Sequence, residues 1–262
     1  MRAGHPRMPA PTSGQDYLVS VSDLMSGLLF VFIITLAVFA LRLVQLQQEA
    51  REEKQRAEEQ RRELTDSQRV RADIAEQVGA ELEKRGVRVE VDAEHGVVRL
   101  PNETVGFARS QAEPLREHRA NVEAIAAVLL DVLRCYVVEP DRTPESCPSD
   151  RGGSRVSTVM VEGHTDSVRI VGGRFRDNLE LSSARSAEVL RLMTRSQSGL
   201  ASLRNDEARP VLSVSGYGET RPFDAERPTS DVNRRIDIRL LMELPAEREP
   251  PPVTTVREGL AS

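Results

Sequence analysis

Val156-Ser-Thr-Val-Met-Val-Glu-Gly-His-Thr-Asp166 decides the fold. Val156 to Val161 reads as a buried strand, and the Gly163 turn after it lets the Asp166 carboxylate project from a sheet edge. Elements of the same kind continue outward in both directions. Ser182 to Thr194 reads as an amphipathic helix, Val211-Leu-Ser-Val-Ser215 as another core strand, and Arg235-Ile-Asp-Ile-Arg-Leu-Leu241 alternates as a last one. Upstream, Val87 to Val91 alternates, Glu94-His-Gly96 supplies a turn and Val97 to Leu100 answers as a second strand. Glu113 to Leu133 carries Leu115, Val122, Ile125, Ala126, Leu129 and Leu133 as a helical stripe. This interleaving predicts an α/β sandwich, a mixed sheet with helices packed on one face.

The polar residues collect at the ends of these elements, where loops carry binding groups. They form four stretches: Val161-Glu-Gly-His-Thr-Asp166, Asn178-Leu-Glu-Leu-Ser-Ser-Ala-Arg185, Gly216-Tyr-Gly-Glu219 and Asn233-Arg-Arg235. Asn178 falls just before the predicted helix and Arg185 one turn into it. Asp166 offers an anion for an ammonium, and Arg185 a planar guanidinium that grips a carboxylate with two hydrogen bonds. A ligand with both groups on one carbon fits that pairing, whether an amino-acid end or the diamino acid of a peptide stem. His164, two residues before Asp166, lacks a second His or a third carboxylate at ligand spacing. It reads as a buried ring whose hydrogen bond fixes the loop, not as a metal ligand. Arg234 and Arg235, taken singly, read equally as surface ion-pair partners. The sequence contains no nucleophile motif, phosphate-cradling glycine loop or zinc signature, so neither an enzyme nor a cofactor is expected.

The 262 residues leave room for one such domain beside a helix and some extended sequence. A net charge of −5, no Trp and 3% aromatic residues argue against nucleic acid as a partner. Cys135 and Cys147 flank a Pro-rich loop with no His nearby, which makes a zinc site poor. A disulfide pinning that loop is the expected pairing, and it requires an oxidising compartment.

Near the start, Leu24 to Leu41 is a run of 18 residues without a charge, long enough for a single membrane-spanning helix. Asp23 stands at its leading edge, with Ser22 before it and Ser26 one turn on. At the headgroup level such an acid is an ordinary first-turn residue. Inside the bilayer it is costly and marks function, and Leu18, Val19 and Val21 continue the apolar character upstream. The run is long for the core of a secretory signal and no small-residue cleavage site follows it, so it reads as a retained anchor. Arg2 and Arg7 precede it, while Arg42, Arg51, Lys54 and Arg56 follow, a count that mildly opposes a cytoplasmic N-terminus. Residues 42–86 are rich in Glu, Gln, Arg and Ala and read as a helical spacer. Its seven-residue spacing (Leu43, Ala50, Ala57, Leu64, Val78) fails at Arg71. A solvated helix held by charge pairs and a loose two-chain coil both stay open. The expected organisation is a disordered tail over 1–16, a membrane helix over 17–41, the spacer, the α/β domain over 87–244 and a disordered tail over 245–262.

Gly-His-Thr-Asp, Asn-x-x-Leu-Ser-x-x-Arg, Gly-Tyr-Gly-Glu and Asn-Arg-Arg, in this order, resemble the OmpA-like peptidoglycan-binding domain over roughly residues 87 to 243. The resemblance implies that Asp166 and Arg185 hold the diaminopimelate of the cell-wall stem peptide, with Thr165, Asn178, Leu181 and Arg235 lining the same pocket. The loop from Asp166 to Asn178 is longer than in many members and carries Arg169, Arg174 and Arg176.

Val21-Ser-Asp-Leu-Met-Ser-Gly27 resembles the acid-bearing membrane helix of MotB-type stator proteins. Together with the wall-binding domain it implies a stator subunit of an ion-driven motor, with Asp23 carrying the proton and Ser22 and Ser26 lining its path. The family's arrangement implies a dimer inside a ring of five multi-span MotA-like membrane proteins. It also implies the bacterial inner membrane, one pass, a cytoplasmic N-terminus and a periplasmic C-terminal domain. The stretch Ser22 to Phe32 looks closer to the stator-like subunit of Zorya-type phage-defence systems than to flagellar versions, which usually carry aromatic residues, often Trp, around the Asp. Flagellar stator and passive membrane-to-wall anchor remain the alternative readings.

Overall fold

The computed structural model describes residues 14–138, 147, 154–171 and 174–243. The expected tail over 245–262, most of the one over 1–16 and the Pro-rich segment 139–146 lie outside the described residues. Two compact units divide the chain, residues 1–59 and 60–262.

The first helix, α1 (Gly14–Lys84), begins inside the expected N-terminal tail. In the first unit its apolar stretch is long and apolar enough to cross a membrane, with a mean hydropathy of 2.7 over 18 residues, none of them buried. The Thr35 hydroxyl donates to the Val31 carbonyl at 2.8 Å. Beyond the apolar stretch, Lys54–Glu58 and Glu52–Arg56 form solvated i,i+4 ion pairs.

In the second unit the end of α1 belongs to the core. Val70, Ile74, Ala75, Val78 and Leu82 form one buried stripe at helical spacing. The expected boundary at residue 87 is therefore corrected: the last turns of the predicted spacer are a domain helix. Charged neighbours hide this in the sequence, because a stripe this narrow occupies only about one position in three. The helix closes in a Schellman turn. Gly86 has φ +75°, its N–H donates to the Glu83 carbonyl, and Val87 N–H donates to that of Leu82.

The sheet comprises β1 (Glu90–Asp92), β2 (Val97–Pro101), β3 (Val156–His164), β4 (Leu212–Gly218) and β5 (Arg235–Met242), in spatial order β1-β2-β5-β3-β4. All neighbouring pairs are antiparallel except β3 and β4, which run parallel through the crossover helix α3 (Asn178–Ser196). The helix α2 (Arg119–Leu133) packs beside α3. Alternation sorts the two faces. Val98, Leu100, Val159, Val161, Ile236, Ile238 and Leu240 enter one core with the helices, while Arg99, Glu162, Asp237 and Arg239 pair on the opposite face. The expected mixed α/β sandwich is the observed fold.

Several element ends differ from their sequence reading. Val87 to Val89 is not strand, because the helix-ending turn consumes it. The helix expected from Glu113 starts at Arg119, after Pro114 bridges Phe107 and a short 3-10 turn covers Arg116–His118. The helix expected from Ser182 starts four residues earlier, because Asp177 caps it by accepting the Glu180 N–H at 2.8 Å. Asn178 is thus the first residue of α3 and Arg185 lies two turns in. Cys135 and Cys147 are joined in a disulfide.

Candidate functional site

Two glycines bring the N-terminal end of α3 onto the sheet. A Cβ at Gly163 would stand 2.2 Å from the Ser182 carbonyl oxygen, and one at Gly216 would stand 2.5 Å from the Ser183 nitrogen. Only a bare backbone admits so close an approach. Ser182 locks it, its hydroxyl accepting from Gly218 N–H at 2.9 Å and donating to the Leu179 carbonyl. Asn178 then reaches across to the loop after β3, donating to the carbonyls of Asp166 and Val168 at 3.3 and 3.2 Å. Along α3, Asn178, Leu181 and Arg185 lie at i, i+3 and i+7 and so share the face turned to that loop.

The result is a cavity of about 310 Å³ lined by Thr165, Asp166, Asn178, Leu181 and Arg185, five of the six expected pocket residues. The Thr165 hydroxyl is buried without a hydrogen-bond partner among the described residues. Arg185 donates from Nε to the Gln111 carbonyl at 3.0 Å and from Nη2 to that of Ala108 at 3.4 Å, and stacks 4.7 Å over the Phe107 ring. Its Nη1 has no hydrogen-bond partner among the described residues. Burial, followed by the neighbouring Arg234, pushes its pKa down to about 10, so it stays charged at neutral pH.

Arg235, the sixth expected residue, is not in the cavity. It is buried on the opposite side, bonded to Asp237 at 3.1 and 3.2 Å and to the Arg221 carbonyl. Arg234 takes the place, its Nη1 lying 2.8 Å from Asp166 Oδ2. Strand parity explains the exchange: Arg235 shares a face with Asp237 and Arg239, whereas Arg234 shares one with Ile236 and Ile238, which face the helices. That signal was present in the sequence. Asn233 is structural, accepting from the N–H groups of Phe223 and Asp224 and donating to three loop carbonyls. Phe107, Arg109, Ser110 and Thr229 also line the cavity. They come from segments with no periodicity, which sequence reasoning passed over.

His164 is buried, but the expected hydrogen bond is absent: among the described residues neither ring nitrogen has one. Its ring stacks on Tyr217, with centroids 5.3 Å apart, and its Nε2 stands 3.4 Å from Asp237 Oδ2. Burial, then the charges of Arg235, Arg221, Arg239 and Arg99, push its pKa down to about 3 and keep it neutral. Glu162, His164 and Asp237 place potential ligand atoms within 4.8 Å of one another. However, Arg239 grips Glu162 with two hydrogen bonds, and Arg235 and Arg99 lie against Asp237. Three guanidiniums already exceed the two carboxylates, so the cluster is an ion network and a poor host for a cation. Asp23, Ser22 and Ser26 lie on the apolar part of α1, where Asp23 and Ser26 share a helical face.

No family model matches this sequence. It is 30% identical over 147 residues to the uncharacterized protein YtxE of Bacillus subtilis (strain 168), a match covering 55% of this chain and 48% of that protein. The chain thus spans about half the length of the curated relative it matches. Among solved structures, it is similar to a putative MotB-like protein from Desulfovibrio vulgaris (23% identity, 72% of this chain and 99% of that one, TM-score 0.43). It is also similar to the cell wall anchor of the type VI secretion system (T6SS) from Pseudomonas aeruginosa (23%, 65% and 97%, 0.42). A third similar structure is the periplasmic domain of Helicobacter pylori MotB, residues 78–256 (20%, 56% and 76%, 0.38).

Proposed function

We propose that this protein is a membrane-anchored, peptidoglycan-binding stator subunit of a proton-driven motor complex in the bacterial inner membrane, of the kind used in Zorya-type phage defence. The observation that carries the wall-binding half is the cavity lined by both Asp166 and Arg185. That pair accepts an ammonium and a carboxylate borne on one carbon, the free end of diaminopimelate in a stem peptide. Thr165, with its unpartnered buried hydroxyl, adds one more hydrogen bond to the same ligand.

The motor half rests on Asp23. A single acid at the leading edge of an otherwise uncharged apolar stretch is costly in lipid unless it exchanges a proton or meets a partner. One helix encloses no ion path, so the multi-span MotA-like partner, in five copies around a dimer of this chain, is part of the proposal. Ser22 and Ser26 line the path beside Asp23. The Cys135–Cys147 disulfide supports a periplasmic domain and hence a cytoplasmic N-terminus.

The test compares wild type, Asp23→Asn and Arg185→Ala in cells carrying the neighbouring genes, scoring phage resistance and swimming with membrane insertion checked for each. Asp23→Asn is expected to insert normally and abolish one activity, and the activity lost tells defence from motility. A silent Asp23→Asn beside a failing Arg185→Ala would instead make the protein a passive membrane-to-wall anchor.

A further inference from the structure

The cavity holds more positive charge than a zwitterionic ligand end can balance. Arg109, Arg169, Arg185 and Arg234 all line it, and Asp166 is the one acidic residue in the lining. Arg234 is already paired with Asp166, and the proposed ligand end brings one ammonium for Asp166 and one carboxylate for Arg185. That exchange adds no net charge. The lining therefore keeps a surplus of three positive charges, four guanidiniums against the single Asp166 carboxylate. One lies within the group of Arg234, Asp166 and the ligand ammonium. The other two are Arg109 and Arg169, neither of which has an ion-pair partner among the described residues.

Both arginines stand on segments that the site itself holds in place. Arg109 sits in the turn closed by Gln111 N–H donating to the Ala108 carbonyl at 3.0 Å, and Arg185 bonds the carbonyls at both ends of that turn. Its neighbour Ser110 holds φ +54°, a conformation L-residues adopt only when the surroundings impose it. Arg169 follows Val168, whose carbonyl accepts from Asn178 and whose N–H donates to Asp166 at 3.1 Å.

We infer that Arg109 and Arg169 form a second anion subsite, which takes a further carboxylate of the same stem peptide and so selects unamidated over amidated wall. The inference rests on the wall-peptide reading above. Beside the diamino acid of a stem peptide, a γ-linked glutamate presents a free α-carboxylate, one residue away along the same peptide. Converting it to a carboxamide removes the charge and leaves the shape nearly unchanged. Charge-assisted, two-pronged guanidinium contacts lose most when the anion becomes neutral.

The test is calorimetric titration of the full chain in detergent micelles. The two probes are the tripeptide L-Ala-γ-D-Glu-meso-diaminopimelate and the same peptide carrying a carboxamide at the glutamate α-position. Wild type is expected to bind the free acid about tenfold more tightly than the amide. In Arg109→Gln/Arg169→Gln the ratio falls to about one, and Arg109→Lys/Arg169→Lys, which keeps the charge, restores part of it. Arg185→Ala loses both peptides. Equal binding of the two peptides by wild type, or an unchanged ratio in the Gln variant, would overturn the second subsite while leaving the first intact. Wild type binding neither peptide would overturn the wall-peptide reading and the inference together.

Discussion

Arg234 Nη1 lies 2.8 Å from Asp166 Oδ2, inside the cavity, while Asp166 Oδ1 accepts the Val168 N–H at 3.1 Å. The carboxylate proposed to receive a ligand ammonium is therefore already oriented by a guanidinium from just before β5 and a backbone amide from its own loop. Removing either partner leaves the other's charge in a largely buried site, the condition under which ion pairs matter most.

Asp166→Asn is expected to abolish stem-peptide binding, because a carboxamide cannot balance an ammonium. Arg234→Gln is expected to weaken it about tenfold, because the carboxylate survives but loses its orientation. Calorimetric titration of both variants separates the two roles, and equal losses would show that Arg234 contacts the ligand as strongly as Asp166 does.

Arg185→Lys retains the charge but has no Nε or second η nitrogen to hold the Gln111 and Ala108 carbonyls. Stability should fall by about 1–3 kcal/mol in denaturant unfolding. Hydrogen exchange should quicken at the Gln111 amide, which closes the turn carrying Arg109. A variant with wild-type exchange there would mean that the turn stands without Arg185.

Gly163→Ala places a methyl group 2.2 Å from the Ser182 carbonyl oxygen, and the obstacle is backbone on both sides. The domain should lose about 1–3 kcal/mol or more, as overpacked sites do. Gly27→Ala, in the other unit, meets nothing within 4 Å and should leave the unfolding of the domain unchanged.

His164 gives the fold a pH dependence of fixed sign. Its pKa is about 3 in the folded chain against an ordinary value near 6.5. Below pH 6.5 the unfolded chain therefore binds a proton that the native one refuses, and stability declines as pH falls toward 3. Chemical denaturation at pH 7, 6 and 5 should show the decline. His164→Gln, which titrates in neither state, should show a shallower one, and identical slopes would assign the effect to the carboxylates instead.

Local chemistry made much of this legible before any coordinates. Residues 156–161, 182–194 and 235–241 declare strand, helix and strand because each buries one face, and period is a property of the sequence. Asp166 and Arg185 were legible as a pair because their residue types suit one ligand and stand at element ends. The end of α1 was not, since Val70, Ile74, Val78 and Leu82 sit among charged residues and gain their meaning only when a core stands opposite them. Nor was Arg109, which no periodicity marks and whose turn meets Arg185 only across 74 to 77 residues of sequence.

The sequence by itself determined which residues alternate, where one helix is apolar enough to cross a membrane, and that an acid and a guanidinium stand at the ends of neighbouring elements. Those are properties of a chain read over a few turns. Strand parity already separates Arg234 from Arg235 in the sequence; tertiary structure decided that the face of Arg234 meets the cavity while that of Arg235 meets Asp237 behind the sheet. It also decided that His164 is stacked and neutral instead of hydrogen-bonded, and that Gly163 and Gly216 exist to let α3 approach. The reason is that burial, charge balance and close contact depend on what lies across the fold, and those neighbours are distant in sequence: 68 residues separate Asp166 from Arg234.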